Sequence, residues 1–123
     1  IHELNPIEVN LIIGNHDILE KNWYINAGIK VHEEWLSIGL FVFTHDISSI
    51  KNQEDKYYFS GHVHPGITMR GIGKQSIRFP CFYFNKDFAV LPAFGKFTGT
   101  FTIDPKKEDA VFALANNSII QVQ

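Results

Sequence analysis

The stretch "EVNLIIGNHD", residues 8–17, decides how this chain is read. An apolar run reads as a buried strand, and it ends abruptly in a glycine, an amide, an imidazole and a carboxylate. Two later runs end the same way. "LFVFT" (40–44) passes into His45 and Asp46, and "YYFS" (57–60) passes into Gly61, His62, Val63 and His64. Open sheets place their ligands at the carboxyl ends of their strands. If these three strands are neighbours and point the same way, one pocket gathers Asn15, His16, His45, His62 and His64. That pocket holds four of the six histidines. His2 and His32 fall outside it and read as surface or strand histidines.

Imidazole, amide oxygen and carboxylate together suit borderline divalent ions such as Mn²⁺, Zn²⁺ or iron. In "GHVH" (61–64) the two histidines share one side if the segment is extended. In a tight loop they can instead serve two neighbouring ions. Glycines 14, 61 and 66 would let backbone approach an ion or a phosphate closely. Plainer readings compete at two positions. Asp17, with Glu20 three residues on, also fits a helix capping box. Asp46 also fits a turn.

The bulk numbers are those of an ordinary globular chain: 123 residues, 45% hydrophobic and 20% charged. No apolar run approaches the roughly 20 residues of a membrane span, and no signal-peptide pattern opens the chain. The one cysteine, Cys81, excludes an internal disulfide framework and fits a reducing, cytoplasmic setting. Its surroundings, "FPCFYF", make it a buried packing residue in preference to a ligand or nucleophile.

Charge is unevenly spread. Residues 1–55 hold three basic and nine acidic residues, whereas residues 56–86 hold five basic residues and no acidic one. Arg70, Lys74 and Arg78 lie in that basic strip. It reads either as a solvated face or as an attraction for a phosphate-bearing substrate. A net charge of −2 is too low to imply nucleic acid on its own.

The coarse pattern alternates β and α and then turns all-β. "IHELNP" reads as the end of a helix, 8–13 as a strand, 18–28 as a helix stopped by Gly28, and 29–35 as a strand. "LFVFT" has the continuous apolar character of a central strand. The polar "SSIKNQEDK" that follows it reads as a short helix or loop. After "YYFS" come "QSIRF", "CFYF", "FAVLP", "FTGTFTI", "AVFAL" and "SIIQV", separated by turn signals such as "NKD", "DPKKED" and "ANNS". This order predicts an α/β layered sheet sandwich with a β-rich carboxyl-terminal half.

"GNHD" (14–17), "TH" (44–45) and "GHVH" (61–64) resemble, in order, the last three of five motifs of the calcineurin-like metallophosphoesterases. The tail "GHVHPG…RGIGKQSIRFPCFYF…VLPAFGKFTG…VFAL" resembles the bacterial DNA-ligase-associated metallophosphoesterases, and the likeness covers nearly the whole chain. The resemblance implies an α-β-β-α sandwich that hydrolyses phosphodiesters, with a connection to DNA repair. It implies two divalent ions in the parent enzyme, manganese first and zinc or iron next. It assigns Asn15, His45 and His62 to the second metal and His64 to the first. His16 would contact the phosphate and protonate the leaving group, with Asp17 orienting it. A metal pair of this kind acidifies a water and clamps both sides of an in-line displacement at phosphorus. A carboxylate-held histidine suits proton donation. Arg70, Lys74 and Arg78 carry no role from the superfamily and are assigned here to substrate steering.

The two motifs that come first in that superfamily, Asp-x-His and Gly-Asp, do not occur in the sequence. The chain opens on Ile1, and its one methionine is Met69. The expectation is therefore the carboxyl-terminal part of a single metallophosphoesterase domain over residues 1–123. Such a chain holds at most one ion well and turns over substrate weakly or not at all. It also leaves a sheet edge for an amino-terminal segment or a second copy. Two other readings stand beside this one. One is a non-catalytic module binding metal or nucleic acid. The other is a mononuclear hydrolase with Asp46 completing its site.

Overall fold

The computed structural model describes residues 7–51 and 55–123. The helix read in "IHELNP" lies outside the described residues, as does His2. Strand β1 is Val9–Ile12, helix α1 is Lys21–Asn26 and β2 is Ile29–His32. Then come β3, Trp35–Ile38, and β4, Phe41–Thr44. A 3-10 turn, Ile47–Ser49, leads to β5, Tyr57–Ser60. The rest is β: β6 Pro65–Arg70, β7 Ser76–Phe84, β8 Phe88–Val90, β9 Phe101–Thr102, β10 Ala110–Ala115 and β11 Ser118–Gln121. No described helix is long and apolar enough to cross a membrane.

The strands form two sheets. β1 and β2 pair in parallel, joined by a crossover that contains α1. The larger sheet runs β11-β10-β7-β8-β5-β4-β3, with β6 attached along β7 and β9 along β6. β4, β5 and β8 are parallel to one another at its centre. This is an α/β sheet sandwich with a β-rich second half, as the sequence pattern implied.

Alternation sets the core. Val42 and Thr44 of β4, Tyr58 and Ser60 of β5, and Val111, Ala113 and Ala115 of β10 are buried, while the residues between them are less so. Each large apolar side chain withdrawn from water contributes about 1.5–3 kcal/mol. The opposite face of β4 and β5 is aromatic: Phe43 and Phe59 stack at 5.2 Å between centroids, and Phe41 and Tyr57 meet Phe59 edge-on. Cys81 is fully buried, in keeping with a packing role, and burial pushes its thiol pKa up to about 11.

Several elements differ from the sequence reading, each for a local reason. The helix expected over 18–28 covers only Lys21–Asn26, because Ile18 and Leu19 face solvent and the cap is Glu20. Asp17 is therefore not a helix cap. Gly28 does end the helix, with φ of 79°. The strand expected over 29–35 stops at His32, and Trp35 opens a separate hairpin strand against β4. "QSIRF" and "CFYF" are one strand, β7. Its first half pairs with β6 and its second with β10 and β8. Pro80 stands at that hand-over, where the β6 register ends, and a residue without an N–H is tolerated there. β6 itself has no counterpart in the reading, since Pro65 and Gly66 look like a turn. "FTGTFTI" narrows to the two residues of β9. "ANNS" is the expected hairpin turn, with both asparagines at positive φ.

Candidate metal centre

The three strand ends meet, although only two of the strands are neighbours. β4 and β5 are adjacent and parallel, so His45 and His62 emerge side by side. The backbone fixes their spacing: the amides of Gly61 and His62 both donate to the His45 carbonyl, at 3.1 and 3.0 Å. β1 belongs to the other sheet, yet its turn brings Asn15 to the same point. Asn15 Oδ1 lies 2.8 Å from His45 Nε2, and His62 Nδ1 lies 3.0 Å from that same nitrogen.

Gly14 makes this approach possible in an unforeseen way. A Cβ on Gly14 would lie 2.6 Å from both Cε1 and Nδ1 of His45. The glycine is needed so that the imidazole can lie against the backbone. Gly66 has a similar part elsewhere, since a Cβ there would lie 2.7 Å from Thr100 Cβ, whereas Gly61 faces open space. The expectation that these glycines admit an ion or phosphate thus becomes a finding about side-chain packing at two of the three.

Asp17 closes the turn that carries Asn15 and His16. Its amide donates to the Gly14 carbonyl at 3.2 Å, and its Oδ2 accepts from the Gly14 amide at 2.8 Å. Among the described residues no hydrogen bond joins Asp17 to His16, which stands exposed on the turn. His64 ends a tight turn that begins at Gly61, with its amide donating to the Gly61 carbonyl at 3.1 Å and φ of 52°. "GHVH" is therefore a turn and not an extended segment. His32, outside the site, is a strand histidine bonded to Asn10 Oδ1 at 2.8 Å.

Among the described residues the Asp46 carboxylate has two partners, one of which sequence reasoning missed. Oδ1 accepts from the Ser48 amide and hydroxyl, as a turn residue should, and these bonds hold its pKa below the usual carboxylate value. Oδ2 faces His62 Nε2 at 3.9 Å, on the far side of the ring from His45. Glu33 and Glu34 join Ile13, Asn15, His45 and Asp46 in lining a cavity of about 240 Å³ beside these groups.

The donor set suits a cation. With the Asn15 oxygen toward the ring, three potential lone-pair donors converge, and one imidazole proton has to serve both short contacts. Burial, followed by repulsion from His62, lowers the His45 pKa and favours the neutral, ligating imidazole. Ligand atoms at right angles about an ion with bonds of about 2.1 Å lie about 3.0 Å apart, close to the spacings here. Among the described residues, however, no three His, Cys, Asp or Glu side chains cluster as a ready metal site. The trio depends on the asparagine.

Arg70, Lys74 and Arg78 belong to the β6–β7 hairpin. Lys74 is at the β6–β7 hairpin turn with φ of 64°. Arg70 and Arg78 sit on one face of the hairpin, opposite Ser76 and Thr68 respectively. Arg78 Nη1 donates to the Thr100 carbonyl at 3.2 Å.

No protein-family model matches the chain, and no curated protein does. The fold is nonetheless nuclease- or phosphoesterase-like. The chain is similar to the solved Pseudomonas putida nuclease MPE, with a TM-score of 0.75 and 29% identity. The match covers 94% of this chain and 53% of that one, so the chain spans about half the length of the nuclease.

Proposed function

We propose that this chain is the metal-binding part of a divalent-metal-dependent phosphodiesterase of the calcineurin-like kind, acting on nucleic acid in the cytoplasm. The convergence of Asn15 Oδ1, His45 Nε2 and His62 Nδ1 carries the proposal. The likeness to a nuclease supports the substrate class. Asn15, His45 and His62 would hold one ion, and His64 would offer a ligand to a second. Manganese is the first choice, with zinc or iron as alternatives. Ions bound there supply Lewis acidity toward a phosphoryl oxygen and an acidified water.

The chain's own residues do the rest. The Gly61 and His62 amides hold the His45 backbone, and Gly14 leaves room for its ring. Asp17 holds the turn that presents His16, so its orienting role is exerted through the turn. His16, exposed next to Asn15 in the chain, would give a proton to the leaving oxygen. With three ligands for one ion and one for the other, the chain by itself turns over phosphodiesters weakly or not at all.

Calorimetric titration of the chain with Mn²⁺ tests this. One site is expected, lost in His62→Ala and in Asn15→Ala. Binding that survives both substitutions would refute the assignment. Fast Mn²⁺-dependent turnover of a chromogenic phosphodiester by the chain alone would refute the incomplete-site part.

A further inference from the structure

The metal trio leaves one conspicuous surface unexplained. Residues 91–100, "LPAFGKFTGT", connect β8 to β9 without regular structure. One end of this loop is fastened to the last residue of β5 and the other to the turn that follows it, which carries His62 and His64. The Leu91 amide donates to the Ser60 carbonyl at 2.7 Å, and the Phe101 amide donates to the His64 carbonyl at 2.9 Å. Gly66 lets Thr100 pack tightly against β6, and Arg78 grips the Thr100 carbonyl. The stems are thus well held, and the tip is a turn in which the Thr98 amide donates to the Gly95 carbonyl at 3.4 Å.

At that tip two phenylalanines stand fully in water: Phe94 is 107% exposed and Phe97 102%. Lys96 lies between them. Between Lys56 and Ile103 the chain holds six basic residues and one acidic residue, Asp87. Arg70, on the hairpin face shared with Arg78, belongs to this group. Two solvated aromatic rings about a lysine, on a loop whose stem is bonded to Arg78, match how proteins hold a nucleic-acid strand: rings take base faces and cations take phosphates.

We infer that the 91–100 loop is a base-stacking clamp, in which Phe94 and Phe97 take unpaired bases and Lys96 takes the intervening phosphate. The clamp delivers the strand to the turn bearing His62 and His64. This inference rests on the phosphodiesterase reading and adds a binding subsite to it. Arg78 acts on the clamp as a positioning residue, through Thr100.

The test measures binding of a short fluorescent oligothymidylate, and of its abasic counterpart of the same length, to the intact chain in EDTA. Base stacking of this kind is lost by about 5- to 150-fold per base when the ring is removed. The chain is expected to prefer the base-bearing strand by at least about tenfold. Phe94→Leu/Phe97→Leu abolishes that preference and leaves abasic binding unchanged. Both rings are exposed, so the double variant keeps its circular dichroism spectrum. Equal binding of the two strands, or a preference that survives the double variant, overturns the clamp. So does a dimer of the parent chain that the double variant converts to monomer, since the rings then cover a second copy. Mn²⁺ titration of the same samples separates the two ideas: failed Mn²⁺ binding with the base preference intact strikes the metal centre and not the clamp.

Discussion

Replacing Gly14 by alanine puts one methyl group against the His45 ring. The added Cβ lies 2.6 Å from Cε1 and Nδ1, and ordinary contact begins at 3.4 Å, so the ring must retreat by about 0.8 Å. Metal–ligand distances tolerate shifts of about 0.2 Å. The displaced Nε2 can no longer face Asn15 and His62 as it does now. Disturbing the support of a single ligand typically weakens metal binding by about 10- to 100-fold, and that is the loss expected for Mn²⁺ by calorimetric titration. Stability should fall by no more than about 2.6 kcal/mol. Overpacking costs about 1–3 kcal/mol, and the stiffer unfolded chain returns about 0.4–1 kcal/mol. The Gly14 backbone is not in the left-handed region, so alanine adds no backbone strain. Gly61→Ala is the matched control, because a Cβ there meets nothing within 4 Å. Metal affinity within about threefold of the parent for Gly14→Ala, or an equal loss for Gly61→Ala, would refute the reasoning.

Two further outcomes follow from the β-rich half. Tyr83 donates to Asp109 Oδ2 at 2.7 Å, and that same oxygen also accepts from the Lys106 amide. Asp109 is buried, so Tyr83→Phe should lower stability by about 1.5–3 kcal/mol. In urea this reads as a lower midpoint at unchanged slope, and a midpoint shift too small for about 0.5 kcal/mol contradicts it. Cys81, with its thiol pushed up to about 11, holds about one thiolate per thousand molecules at pH 8. A thiol-disulfide reagent should label it only on unfolding, and stoichiometric labelling of the folded chain at pH 8 would show the burial to be wrong.

The strand ends were legible because apolar runs that break into histidine and asparagine obey the rule for open sheets. That rule required three adjacent strands. Two are adjacent, and Asn15 arrives from a different sheet, which no periodicity could reveal. Turn chemistry was legible in Gly28 and in "ANNS". Asp17 was read as a cap or as an orienter of His16, and the Gly14 amide it binds is a partner only a folded turn supplies. The connection of Asp46 to His62, and of Arg78 to Thr100, likewise joins residues from separate elements. β6 escaped because proline and glycine signal a turn until a long partner strand is there to pair with them.

The two anchorages of the candidate centre differ in kind. His45 and His62 hang on adjacent strands of the large sheet, tied together through one carbonyl. Asn15 hangs on a two-stranded sheet whose helix has six residues. An ion gripped by all three would act as a cross-link between the sheets. At a hundred times its dissociation constant, such an ion adds about 2.7 kcal/mol against any opening that pulls Asn15 away. Loading the centre would then also fasten the β1–α1–β2 unit to the rest of the molecule, so that amide exchange in β1 reports occupancy from a distance.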